Sequence, residues 1–407
     1  MEKQNSPRPR VLVIAGRAGK LKAAADAGFE VVYVQHTALF ADHHRAASHE
    51  ALLLDYTRPE RLLPVAAGLH AADPFALVAS FTDPGLEPAG LLTDHLGLPG
   101  NPAHVSALLR DKYALRTRLA EAGVESHPCA LVRTAGELRD FADRHGYPLV
   151  LKPQDGTGSE NVRRVESADD AESLFEDRTA GEPPLLAERF LTGHEISVET
   201  VSQHGRHTVL ALTEKFIDEN FVERGHVVPA RVGPEHRPAV EKLVAGLLDA
   251  AGLAEGCAHT EVMLTGTGPV TIESHNRMGG DRIYELVRLS HGTDLERLGY
   301  TLPLDIDPLP EPPVPARAAA IWFVHAEPGR VVGIEGVGPV SEAAGVHEVV
   351  LHVGAGDEVR PVRSSADRVG HVIATADDPS TAVERARAAA ASVRVITEPA
   401  EDKAPAR

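Results

Sequence analysis

The sequence predicts an α/β (α+β) protein of several lobes, on three observations. The chain opens strand–helix–strand, which implies a parallel sheet. Its middle alternates short strands at glycine turns with amphipathic helices. A proline-rich segment then precedes a smaller unit of short strands and one alanine-rich helix. The 407 residues suit two to four domains or one multi-lobed enzyme.

Val11–Ala15, in "VLVIAGRAGK", reads as a buried strand running into a glycine turn. "LKAAADAGFEVVYVQH" continues as helix, glycine stop and second strand. The loop "GRAG" lacks the third glycine of a dinucleotide fingerprint and carries little weight as a nucleotide site. "ALLLDY" and "FALVASFTD" read as further strands, and this first unit, 1–100, ends near "LGLPGNP". "NPAHVSALLRDKYALRTRLAEAGV" reads as one helix. Asn101 can cap it, Pro102 suits its first position and Gly123 stops it. Val105, Leu108, Leu109, Leu115 and Leu119 make one apolar stripe, with Lys112 close beside it. An inward lysine needs an anionic partner; otherwise it snorkels its head to water.

"GYPLVLKPQDGTGSENVRRV" is strand, glycine loop, strand, within a second unit at 101–185. "PLLAERFLTGHEISVETVSQHGRHTVLALTEK" adds strands with hairpin turns. "RPAVEKLVAGLLDAAGL" is an amphipathic helix ended by Gly252, and "CAHTEVMLTGTGPVTIESHNR" is a hairpin; these fill a third unit at 186–310. "DIDPLPEPPVP" can be neither helix interior nor central strand. The last unit, 311–407, is expected to hold short strands closed by the helix "STAVERARAAAASVRV".

The formal net charge of −18 disfavours nucleic acid and anionic membrane as partners, since both need a basic surface. It leaves room for a nucleotide. Two cysteines, Cys129 and Cys257, make neither a disulfide framework nor a cysteine zinc site. Cys257 lacks a neighbouring base or cation and reads as a buried apolar residue. The polar start and the short run after it suggest no signal sequence, and no stretch suits a membrane span. A cytoplasmic protein is expected.

Three stretches carry chemistry. Side chains alternate faces along a strand. If "TGTGP" is the hairpin turn, so that Leu264 faces Val270, then Glu261 lies opposite Glu273 on one face. Facing carboxylates repel unless a cation sits between them, and Mg²⁺ takes such oxygens together with phosphates. A solvated surface pair is the ordinary alternative. Next, Lys152 closes an apolar strand ahead of the loop Gly156, Thr157, Gly158, Ser159, whose backbone N–H groups could fold over an anion. A plain hairpin turn would look the same. In "LLAERFLTGHEISVE", an apolar connector through Phe190 and Leu191 is flanked by Glu188 and Glu195. Such a connector could hold a purine.

In this order these pieces resemble the ATP-grasp superfamily, and within it the ATP-dependent carboxylate–amine ligases of the L-amino acid ligase (dipeptide synthetase) type. The resemblance spans about residues 11–396, including "ALTEKFIDENFVERGHVVPA" and "GDEVRPVRSSADRVGHVIAT". It implies an ATP-grasp fold with an N-terminal Rossmann-like pre-ATP-grasp domain and a small C-terminal α+β domain. It implies ATP and Mg²⁺, one ion or two, with Mn²⁺ as a substitute. Lys112 and Lys152 would contact the phosphates beneath the 156–159 loop, with Lys215 reaching toward them. Glu188 and the backbone of Arg189 and Leu191 would read adenine beside Phe190, and Glu195 would hold ribose. Glu261 and Glu273 would bind the metal. Arg277 would hold the substrate carboxylate and then the oxyanion, with Gly279 and Gly280 making room. Glu223 and His226 would line the amino-acid pocket, His226 also being the candidate base. Asp281 would help choose the substrate side chain, a structural salt bridge being the alternative for it and for Arg282. The partners implied are small carboxylates and amines, with no nucleic acid and no membrane, and by analogy a homodimer through the first domain.

One departure stands out. Where many of these enzymes place a metal-binding Asn, two residues after the second Glu, this chain has His275, with Asn276 one further on. Imidazole is a poor Mg²⁺ ligand beside oxygen donors. His275 would leave the metal to water or turn to the substrate. The rival readings are an ATP-grasp enzyme of purine or carboxylation type, disfavoured by the "FVERGH" stretch, and a decayed nucleotide-binding regulatory module. The retained buried charges weigh against decay.

Overall fold

The computed structural model describes residues 8–155, 161–176, 178–179, 181–218 and 221–399. Four parallel strands form the first sheet: β1 (Arg10–Ile14), β2 (Glu30–Gln35), β3 (Glu50–Leu53) and β4 (Phe75–Ala79), in the order β3-β2-β1-β4. β1 and β2 are apolar almost throughout and buried on both faces, as a helix-covered parallel sheet requires. Two helices of this unit, Pro59–Ala72 and Asp83–Leu96, escape the sequence reading because each carries an internal proline, Pro64 and Pro88.

The single helix expected over 101–123 is two helices, Ala103–Arg110 and Lys112–Glu121. Asp111 breaks it with an extended backbone and caps the second helix by accepting from Ala114 N–H at 2.9 Å. Asn101 is not a cap: its side chain accepts from the N–H of Ala254 and of Glu255 and donates to Glu255 O. The apolar stripe survives the break, and Val105, Leu109, Leu115 and Leu119 pack with the helix Arg237–Ala251 in one core. That helix ends at Gly252, φ 74°, as expected.

A small antiparallel sheet holds β5 (Cys129–Val132), β6 (Leu149–Pro153), β7 (Arg163–Val165) and β8 (Leu185–Arg189), in the order β5-β8-β6-β7. The loop carrying Gly156, Thr157, Gly158 and Ser159 joins β6 to β7 and lies outside the described residues.

The largest sheet contains β9 (Gly193–Gln203), β10 (Arg206–Ile217), β11 (Glu223–Val228), β12 (Gly256–Thr265) and β13 (Gly268–His275). It runs on through β14 (Ala318–Phe323) to β18 (Gly370–Ala376) and β16 (Val346–Leu351), in the order β13-β12-β9-β10-β11-β14-β18-β16. The strands beyond the proline-rich linker thus extend the same ladder, β14 pairing with β11. Only β15 (Gly329–Glu335), β17 (Glu358–Val359) and β19 (Arg394–Glu398) form a separate sheet. The final helix stops at Ser392, and β19 takes Arg394 and Val395, which the sequence reading gave to the helix.

The hairpin β12–β13 pairs Glu261 with Glu273. It does so differently from the expected register. Leu264 faces Pro269, not Val270, and the turn is the shorter Gly266-Thr267. A register shift between Glu261 and Val262 then restores the carboxylate pair. A bulge re-aims one stretch of a strand without moving the other. Among the described residues no helix is long and apolar enough to cross a membrane.

Candidate active site

A cavity of about 600 Å³ opens between the small sheet and the largest one. Lys112, Lys152, Lys215, Glu261, Glu273 and Arg277 all line it. So do the connector at Glu188–Leu191, Glu195, and the pocket pair Glu223 and His226. Gly280 is on its wall, whereas Gly279 is buried behind it.

Each carboxylate here has a cation. Lys152 Nζ lies 2.5 Å from Glu188, whose other oxygen accepts from Arg116 Nε at 2.7 Å. Burial would raise the Glu188 carboxyl, but Arg116 and Lys152 hold it well below the usual range. Glu188 therefore fixes Lys152 at the end of β6. Arg116 went unnoticed in the sequence, although it follows Lys112 by four residues and so shares its helix face.

Lys112 Nζ lies 2.9 Å from Glu273. Lys215 Nζ lies 2.6 Å from Glu195, 2.7 Å from Glu261 and 3.7 Å from Glu223. It stands between the carboxylate expected at ribose and the first of the two expected at the metal. Burial opposes ionisation of Glu261, yet the Lys215 ammonium keeps it down at about 2. Glu273 is likewise held far below its ordinary value, against its burial, by Lys112 and His275.

These two facing, ionised carboxylates fit a hard divalent cation. Among the described residues no group of three or more His, Cys, Asp or Glu could hold a metal ion. The facing pair Glu261 and Glu273 offers oxygen donors that Mg²⁺ could complete with water and phosphate. His275 does not join them. Its Nε2 lies 3.2 Å from Glu273 and its Nδ1 3.3 Å from Asp83, so both ring nitrogens face carboxylates. His275 lines the cavity beside the carboxylate pair. Asn276 turns away to donate to Ser106 Oγ.

Arg277 meets a partner the sequence did not suggest. Its Nε and one terminal nitrogen each donate to Asp83 at 2.8 Å, a two-pronged pair. Asp83 begins a helix of the first unit and reaches across 194 positions of sequence. No local pattern could have announced it.

Glu199 and the cavity-lining His259 form a buried pair at 2.7 Å, and His259 Nε2 approaches Glu261 at 3.4 Å. Gly279 N–H donates to Glu199 at 3.2 Å. A Cβ on Gly279 would come within 2.8 Å of His259 Nδ1 and 3.1 Å of Glu199, so glycine is required by this pair. A Cβ on Gly280 would meet nothing within 4 Å. Its side faces open cavity.

Burial disfavours the His259 imidazolium, but Glu199 and Glu261 raise it to about 9. Its folded value exceeds the ordinary 6.5, so its contribution to stability is complete below pH 6.5 and is lost as pH climbs toward 9. The melting temperature of the ligand-free protein should fall across that window more steeply than that of His259→Gln. Equal slopes in thermal melts would refute the charged pair.

His226 is almost fully buried, its Nε2 3.0 Å from Asp281 and its ring edge-on to Phe323. Arg368, from beyond the linker, closes on the same Asp281 with both terminal nitrogens. Ser365 Oγ donates to Glu223 at 2.8 Å. Ser365 and Arg368 lie in the stretch "GDEVRPVRSSADRVGHVIAT", but neither was singled out from the sequence. Cys257 is buried, and its thiol is pushed up to about 12 by burial, so it is no nucleophile.

Comparison with known proteins places three family descriptions in series on the chain. Residues 21–100 match the ATP-grasp N-terminal domain, 145–285 the ATP-grasp domain, and 322–398 the L-amino acid ligase C-terminal domain 2. An uncharacterized protein of Sinorhizobium fredii is 27% identical over 340 residues, 82% of this chain and 68% of that one. The alanine–anticapsin ligase of Bacillus subtilis strain 168 is 25% identical over 271 residues, 60% of this chain; the match spans 57% of the ligase's own length. Among solved structures, an L-amino acid ligase from Bacillus licheniformis superposes with a TM-score of 0.84 at 23% identity, covering 97% of this chain and 100% of that one.

Proposed function

We propose, on the premise that this chain is an ATP-grasp protein carrying an L-amino acid ligase C-terminal domain, that it joins the carboxylate of one amino acid to the amine of another. ATP would be spent, and an amide or dipeptide, ADP and phosphate would leave. The observation that carries this reading is one cavity holding two facing ionised carboxylates, the cations Lys112 and Lys152, and the guanidinium of Arg277.

A carboxylate repels nucleophiles, and phosphorylation turns it into an acyl phosphate that an amine can attack. Such transfer depends on positioning and charge neutralisation. Lys112 and Lys152 would neutralise ATP's phosphates, Lys152 pinned there by Glu188. The backbone of Arg189 and Leu191, beside Phe190, would read the base, and Glu195 the ribose. Glu261 and Glu273 would hold Mg²⁺, which when bound withdraws negative charge from the phosphates. Arg277 would give its planar fork to the substrate carboxylate and later to the oxyanion. For that it must share or exchange Asp83. His226, oriented by Asp281, is the candidate to take the amine's proton.

The test is phosphate release from ATP and Mg²⁺ across a grid of paired amino acids, with mass spectrometry on every positive well. ADP, phosphate and a mass equal to both substrates less water are expected. Nucleotide bound without phosphate release in any well would overturn the amino-acid ligase reading.

A further inference from the structure

The wall of the cavity turns sharply just past its two glycines. Asp281 and Arg282 both lie in the left-handed region, with φ of 50° and 62°. Aspartate tolerates that conformation better than most residues and arginine does not. Two such residues in a row persist only where their surroundings over-determine them. Here they do. Asp281 takes both terminal nitrogens of Arg368, one at 2.8 Å, together with His226 Nε2 at 3.0 Å. Arg282 donates to both oxygens of Glu348, at 3.0 and 2.9 Å, and to Tyr284 Oη at 3.1 Å.

The two anchors share an origin. Glu348 is on β16 and Arg368 lies just before β18, both beyond the proline-rich linker. Arg368 is itself fixed, 3.6 Å over the Phe323 ring and donating from Nε to Ser365 O at 2.9 Å. The turn they hold is closed by Ile283 N–H to Gly280 O at 2.8 Å, and the helix Ile283–His291 starts there. Upstream of it, Arg277 and Gly280 line the cavity.

We propose that Arg368 and Glu348 are positioning residues: two arms by which the C-terminal unit holds Asp281 and Arg282 in their left-handed conformation and so aims the Arg277–Gly280 wall at the substrate. This rests on the ligase reading above. A purely structural docking of the C-terminal unit would need the ion pairs but would be indifferent to the backbone conformation of Arg282. Glycine separates the two, because it takes positive φ without penalty.

The experiment compares wild type, Glu348→Gln, Arg368→Met, Arg282→Gly and the double variant Glu348→Gln/Arg282→Gly. Each is measured for kcat, for KM of ATP and for amide hydrogen exchange over 281–287. Loss of either arm should lower kcat roughly 10- to 100-fold, as small misplacements of a reacting group do, with KM for ATP within about twofold and faster exchange at the turn. The double variant should recover most of the kcat and the slow exchange, and Arg282→Gly alone should stay near wild type. Wild-type kcat and exchange in Glu348→Gln, or a glycine that restores neither, would overturn the proposal. If Glu348→Gln does not fold, a large drop in Arg282→Gly would do the same. A wild type that binds nucleotide but makes no product defeats the ligase reading instead, and exchange still reads the turn.

Discussion

Glu273→Ala should abolish ATP turnover. The substitution removes one of the two facing carboxylates of the hairpin, and with it, on the proposed reading, one of the two carboxylates that would hold the metal. A bound divalent ion contributes several kcal/mol of charge stabilisation in phosphoryl transfer. At 1.36 kcal/mol per tenfold, the expected fall is about 10³-fold or more. Lys112 and His275 also lose their contacts with that carboxylate. A melting curve run beside the phosphate assay separates lost chemistry from lost fold. Mn²⁺ binding by electron paramagnetic resonance, in the presence of a non-hydrolysable ATP analogue, should weaken in parallel. Unchanged turnover in a folded variant would remove Glu273 from the metal site.

Arg277→Ala should spare nucleotide binding and stop product formation. The guanidinium donates to Asp83 and to Met278 O, neither of them a group expected at ATP. Removing a donor that stabilises a developing oxyanion costs roughly 10² to 10³ in kcat. Asp83 would keep His275 at 3.3 Å and is partly exposed, so the fold should survive. Calorimetry with the ATP analogue and mass spectrometry of the reaction read the two halves separately. A variant that loses ATP affinity alone would place Arg277 on the wrong ligand.

What could be read in advance follows from how far apart the interacting residues lie. Glu261 and Glu273 were legible because a strand alternates faces and a glycine-rich turn separates them by a short, countable distance. Even there the expected turn was too long, and a bulge compensated. Bulges leave no mark in an alternation of residue types. Lys112 was legible from its place beside an apolar stripe, whereas the helix break at Asp111 was not, since the stripe continues across it. Asp83, Glu199 and Arg368 were not legible. Their partners Arg277, His259 and Asp281 lie 194, 60 and 87 positions away, and nothing local fixes such meetings. The proline-rich segment marked a boundary in the chain, but not in the sheet, which crosses it by hydrogen bonds between β11 and β14.

The placement of Lys215 changes what filling this pocket involves. Its ammonium already lies against Glu195 and Glu261, with Glu223 within reach. The cavity thus carries a cation of its own beside these carboxylates, which offsets part of the cost of burying them. On the proposed reading, a divalent ion would meet a site that already holds charges of both signs. Glu261 would then help hold the metal, and the Lys215 ammonium beside it would be available to the phosphates. Filling the pocket would then exchange one cation for another at Glu261.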